Sequence, residues 1–187
     1  MPFYADICQI QQFNKWLKIK ENQGNARMIK VLFICHGNIC RSPMAEFYFK
    51  KLVAEHGLSD RFEIASAATS DEEIWNGVGN PVYGPARRKL NSVGISCDGK
   101  RARQLTKRDY NEYDYLIGMD RWNVRNILRI VGDDPKQKVK LLLDYSERPG
   151  EEISDPWYSG DFDRAFADIK EGCDGFLTYL MEQGILQ

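Results

Sequence analysis

The sequence predicts an α/β fold: a single three-layer domain in which helices cover both faces of a parallel sheet. Two observations carry that prediction. Four short apolar runs of strand length alternate with segments whose apolar residues recur at helical spacing. The first run, Val31 to Cys35, is apolar throughout, the pattern of a strand buried on both faces. Neither an internal repeat nor a low-complexity stretch competes with this reading.

In order, Val31-Leu-Phe-Ile-Cys35 is the first strand. Ser42-Pro43 opens a helix, with proline in the first turn and Met44, Phe47, Phe49 and Leu52 among its apolar residues. Residues 62–67 form the second strand, and Pro85 to Val93 a helix closed by Gly94. Residues 113–119 give a third strand, followed by a helix from Asp120 to about Val131. Residues 139–143 give the fourth, and Asp161 to Met181 a long final helix. Strands alternating with helices imply βαβ units and hence a parallel sheet. Ligands of such sheets bind beyond the carboxyl ends of the strands, where Cys35 and Asp155 both fall.

Residues 1–27 read as an N-terminal extension to a domain spanning 28–187. Asp6 and Gln9 can cap a helix carrying Ile7, Ile10, Phe13 and Leu17, and residues 21–26 read as a linker. The extension is open to three readings: a docked helix, an upstream start, or a non-native start. Lysines 15, 18 and 20 face too few apolar residues to favour a membrane surface.

Composition excludes several classes. With 43% hydrophobic and 28% charged residues the chain is neither disordered nor fibrous. A formal charge of −1 gives no ground for nucleic-acid binding. The five cysteines, odd in number and scattered, argue for a reducing compartment, and the expected location is cytoplasmic. Two histidines and no C-x-x-C pair leave no metal site at the usual spacings. No apolar run is long enough to span a bilayer. No cofactor is expected.

The chemistry concentrates in Cys35-His36-Gly37-Asn38-Ile39-Cys40-Arg41-Ser42-Pro43, a C-x5-R-S-P loop between a buried strand and a helix. A phosphate dianion needs several N–H donors and a fixed positive charge. A tight loop feeding a helix start directs successive amides into one concavity and adds the helix dipole. Gly37 lets the chain approach closely, and Asn38 tolerates a left-handed backbone. Arg41 can grip two phosphate oxygens with its planar fork. The same field favours the thiolate of a cysteine at the loop's centre, and Ser42 is placed to donate a hydrogen bond to it. A lone cysteine at a strand end is more often structural. Cys, Gly, Asn, Arg, Ser and Pro together reverse that judgement.

Val31 to Glu46 closely resembles the signature of the low-molecular-weight protein tyrosine phosphatases. The likeness extends to Ala67-Ala-Thr-Ser70 with Trp75-Asn76, to residues 102–106, to residues 114–120, and to Asp155-Pro-Trp-Tyr158. It covers nearly everything from about Lys30 to the final helix. The resemblance implies a four-stranded parallel sheet of the flavodoxin-like, phosphotyrosine protein phosphatase I type, and hydrolysis through a phosphocysteine. It assigns Cys35 as nucleophile, and Arg41 with His36, Gly37, Asn38, Ile39, Cys40 and Ser42 as the phosphate-binding set. Asp155 matches the general acid, then base. Protonating a phenolate leaving group contributes roughly 10²–10⁴-fold. By itself an Asp-Pro pair usually marks a turn.

Trp75, Trp157 and Tyr158 become, on this resemblance, walls of a slot for the phenyl ring. The expected partners are phosphotyrosine proteins or peptides, with phosphate or sulfate as active-site ligands and no nucleic acid. The chain is expected to act as a monomer or weak dimer. Cys40 reads either as an apolar filler or as a thiol able to trap oxidised Cys35 as a disulfide.

Three alternatives compete with this reading. Thioredoxin-coupled arsenate reductases share the loop but relay electrons through two nearby cysteines, whereas Cys97 and Cys173 are far apart in sequence. Protein-arginine phosphatases typically carry Thr where Ile39 stands. A non-catalytic phosphotyrosine-binding module would be expected to lack the nucleophile or the acid, and both are present. Two departures from the family pattern stand out. His36 replaces a residue often apolar or Thr, and Lys100-Arg101 stands where relatives often carry a His that supports Asn38.

Overall fold

The computed structural model describes residues 27–186, so the expected N-terminal helix and linker lie outside the described residues. Four parallel strands, β1 (Ile29–Cys35), β2 (Phe62–Ala68), β5 (Tyr115–Gly118) and β6 (Val139–Leu141), form one sheet in the order β2-β1-β5-β6. The three-layer parallel architecture expected from the alternating pattern is present.

Strand periodicity explains how β1 sits at its centre. Val31, Phe33 and Cys35 face one core, while Leu32 and Ile34 face the other. The first core is closed by α1 (Arg41–Glu55), α2 (Gly84–Ser92) and α6 (Phe162–Glu182). The second is closed by α3 (Lys107–Glu112) and α4 (Arg121–Val131). Phe49 of α1 is the hub of the first core, its ring 5.7 Å from Phe33, 5.6 Å from Phe62 and 5.3 Å from Phe176. Burying a phenyl ring in such a cluster stabilises by about 3 kcal/mol or more.

Two expected strands are shorter than their apolar runs. The third begins at Tyr115 because Thr106 and Asp109 form a capping box that starts α3, leaving Tyr113 as that helix's end. The fourth stops at Leu141. The Asp144 carboxylate accepts a 3.0 Å bond from the Leu141 amide and winds residues 142–145 into a 3₁₀ turn. Besides α3 and a 3₁₀ turn at Ser59–Arg61, two small elements had no counterpart in the expectation. One is a hairpin, β3 (Ile74–Trp75) and β4 (Val78–Gly79), turned on Asn76 and Gly77, both at positive φ. The other is the short helix α5 (Pro156–Ser159). No helix among the described residues is long and apolar enough to cross a membrane.

Candidate active site

The site lies at the carboxyl edge of the sheet, where β1 hands over to α1. Cys35 ends β1, buried, and Arg41 begins α1. Between them the chain turns through Asn38, whose φ of +59° is left-handed, as expected of an asparagine at this point. Among the described residues, the amides of Gly37 to Cys40 meet no protein acceptor, and they precede the helix start directly. Donors concentrated at a helix N-terminus are what a phosphate requires.

Beneath the loop runs a chain of buried hydrogen bonds. The Cys35 Sγ and Ser42 Oγ are 3.0 Å apart. The Asn38 amide donates to Ser42 Oγ at 2.9 Å and to Ser66 Oγ at 2.8 Å, and its carbonyl accepts from the Arg103 backbone at 3.1 Å. Ser66 in turn donates to Glu46 at 2.5 Å, and Glu46 pairs with Lys100 at 3.0 Å. Lys100 also donates to the Ser66 carbonyl. The segment around Lys100 therefore does support Asn38, through the Arg103 amide directly and through Glu46 and Ser66 at one remove. Burial pulls the Lys100 ammonium down from its usual value. It would raise Glu46, but Lys100, Lys50 and Ser66 outweigh it and hold that carboxyl below the usual range.

Arg41 is buried to 2% exposure and oriented from three sides. Its Nη1 donates to Asp120 at 2.6 Å and to the Ile153 carbonyl at 3.0 Å, and its Nη2 donates to Asp155 at 2.5 Å. Burial opposes the charge, but Cys35, Asp155 and Asp120 outweigh it, and the guanidinium is held more firmly protonated than usual. Asp120 is the N-cap of α4 and Asp155 the N-cap of α5, each carboxylate also accepting a backbone amide. Each carboxylate is thus pinned by its own helix before it reaches the arginine.

A cavity of about 130 Å³ opens over Cys35. It is lined by the loop residues His36, Gly37, Ile39, Cys40 and Arg41, by Asp155, Trp157 and Tyr158, and by Glu72 and Glu73. Two larger clefts, of about 580 and 800 Å³, lie away from Cys35, Arg41 and Asp155. Chemistry rather than size selects the smaller one. Asn38 and Ser42 are buried under the loop and do not line the cavity. Trp75 is 70% exposed on the β3–β4 hairpin and does not line the cavity. Trp157 packs instead on Tyr83, with ring centroids 4.9 Å apart. Asp120, Glu72, Glu73 and Tyr83 were not singled out in the sequence, since Asp120 reads as an ordinary helix cap and the others as loop residues. The His36 imidazole turns outward to Glu72 at 3.0 Å. Burial pushes the Cys40 thiol well above its usual value, with Cys35 and Asp155 adding to the effect. The four described cysteines are free, and the described residues hold no metal-ligating cluster.

The family model described as low molecular weight phosphotyrosine protein phosphatase matches residues 30–185. The low molecular weight protein-tyrosine-phosphatase YfkJ of Bacillus subtilis is 38% identical over 157 residues, which cover 83% of this chain and 98% of that protein. Its crystal structure superposes with a TM-score of 0.80 at 37% identity, covering 86% of this chain and 99% of that one. The Drosophila arginine phosphatase DARP superposes with a TM-score of 0.72 at 30% identity, covering 81% and 97%.

Proposed function

Since the chain belongs to the low molecular weight phosphotyrosine protein phosphatase family, we propose that it hydrolyses phosphotyrosine in proteins through a phosphocysteine formed on Cys35. The phosphoryl group sits in the loop, held by amides 37–40 and the Arg41 guanidinium. The Cys35 thiolate attacks phosphorus while the bond to the tyrosine oxygen breaks. Asp155 gives its proton to that oxygen, so neutral tyrosine leaves. Water then attacks phosphorus and loses a proton to the Asp155 carboxylate. The P–S bond breaks, inorganic phosphate departs, and the Ser42 hydroxyl, 3.0 Å away, donates to the thiolate that is released. Inorganic phosphate and sulfate are expected to compete for the same loop.

One observation carries this reading: Asp155 reaches the arginine of the phosphate loop although 114 positions separate them. A nucleophile, a fixed cation and an acid then share one cavity. Trp157 and Tyr158 on its wall suit a phenyl ring. A second reading, hydrolysis of phosphoarginine, draws on the carboxylates of Glu72 and Glu73 at the mouth and on the likeness to the Drosophila arginine phosphatase.

Phosphate release from phosphotyrosine, phosphoarginine and phosphoserine peptides, without metal and with reductant, decides between them. Turnover of phosphotyrosine alone, abolished in Cys35→Ser, is the expected result. Preference for phosphoarginine would keep the mechanism and overturn the substrate.

A further inference from the structure

The cavity that holds the nucleophile has an uneven charge distribution. Its cation, Arg41, already faces Asp120 and Asp155. At the mouth stand two further carboxylates, Glu72 and Glu73, which the reaction does not use. They are held in place rather than merely near. Glu72 pairs with His36, the residue after the nucleophile. Glu73 accepts a 2.7 Å bond from the Asn80 side chain, while the Asn80 amide bonds its carbonyl at 2.8 Å. Its side chain lies over Gly37, so closely that a Cβ there would stand 3.0 Å from the Glu73 Cγ. The charge of Glu73 is also felt inside the loop, at the Cys40 thiol.

A phosphate dianion approaching this mouth meets repulsion before it meets the amides of the loop. A cation carried beside the phosphotyrosine removes that repulsion, and an anion there adds to it. We propose that Glu72 and Glu73 are specificity-determining residues that select phosphotyrosine segments bearing Lys or Arg next to the phosphotyrosine and disfavour those bearing Asp or Glu. The proposal rests on the phosphotyrosine reading above and names its substrate class. The effect acts on binding, so it appears in KM more than in kcat, and salt screens it because the mouth is open to solvent.

The test compares kcat/KM for three phosphotyrosine peptides of one sequence, flanked by Lys, Ala or Glu, with phosphotyrosine itself as the reference. At low salt the Lys peptide is expected to exceed the Glu peptide by about tenfold, and at high salt the ratio should collapse. Glu72→Gln should shrink the low-salt ratio by about threefold, chiefly by lowering KM for the Glu peptide. Glu72 has a largely exposed side chain, so this variant is expected to fold even if Glu73→Gln disturbs the Asn80 bond. Equal kcat/KM for all three peptides, or a ratio that Glu72→Gln leaves untouched, would overturn the proposal while phosphotyrosine is still hydrolysed. No hydrolysis of any phosphotyrosine compound would instead remove the reading on which it stands.

Discussion

The Arg41 guanidinium donates to Asp155 through Nη2 at 2.5 Å while its Nη1 is held by Asp120, so in the proposed mechanism the cation that binds phosphate also locates the acid. A phosphoryl group bound as proposed would compete for the same fork and leave the Asp155 carboxyl facing the departing oxygen. Asp155→Asn keeps the helix cap and the hydrogen-bonding shape but cannot give up a proton. Its kcat on phosphotyrosine is expected to fall roughly 10²–10⁴-fold. On p-nitrophenyl phosphate, whose leaving group needs less protonation, the loss should be smaller. Steady-state kinetics on both substrates check this, and equal losses would place the acid elsewhere.

The buried Lys100–Glu46 pair stands at the far end of the chain that reaches Cys35 through Ser66, Asn38 and Ser42. Lys100→Met leaves Glu46 with Lys50 and Ser66 as partners and an apolar neighbour. Breaking a buried pair on one side costs about 3 kcal/mol. A lower Tm alone would mean a structural role. A positioning role predicts in addition that kcat falls about tenfold with KM little changed, and that Lys100→Arg restores most of it.

Two carboxyls make the fold sensitive to acid. In Glu46 burial works against the Lys100, Lys50 and Ser66 partners and loses. In Asp109 burial works against Arg103 and Thr106 and loses, so both titrate below their usual values in the folded chain. Such a group binds its proton more readily when unfolded. Its stabilisation is complete above the unfolded values of 4.5 and 3.8 and is lost as the pH drops through the lower folded ones. Tm is therefore expected to stay level from neutrality to about pH 5 and to decline below that. Glu46→Gln should start lower and decline less steeply.

The strands and large helices were legible because their periodicity is local and strong. The loop from Cys35 to Ser42 was legible because its residue types are contiguous. What the sequence concealed was either short or distant. The capping pair Thr106–Asp109 and the Asn76-Gly77 turn both announce their elements, but α3 and the hairpin are too brief to carry a hydrophobic period. Asp120 joins Arg41 across 79 positions, a pairing that only the sheet order brings about. Trp75 shows the opposite limit. A sequence can place an aromatic residue on a loop near the site, but the direction of its ring depends on a turn of two residues.

Helix α6 carries Gly172 and Gly175 in its interior, where glycine is unfavourable by about 1 kcal/mol against alanine. Their reason lies in the 3₁₀ turn after β6, against which this face of the helix packs. A Cβ on Gly175 would come within 2.0 Å of the Tyr145 carbonyl oxygen, and one on Gly172 within 2.6 Å of the Leu142 Cγ. The first obstacle is backbone and cannot turn aside, while the second is largely a side chain. Gly175→Ala should thus destabilise by about 3 kcal/mol despite its better helix propensity, and Gly172→Ala by less. The turn also leads the chain toward Ile153 and Asp155, so pushing it outward disturbs the proposed acid as well as the core. Thermal unfolding alongside phosphotyrosine turnover measures both effects. If Gly175→Ala matched or exceeded the parent in Tm, the close approach of α6 to the turn would not be what excludes a side chain there.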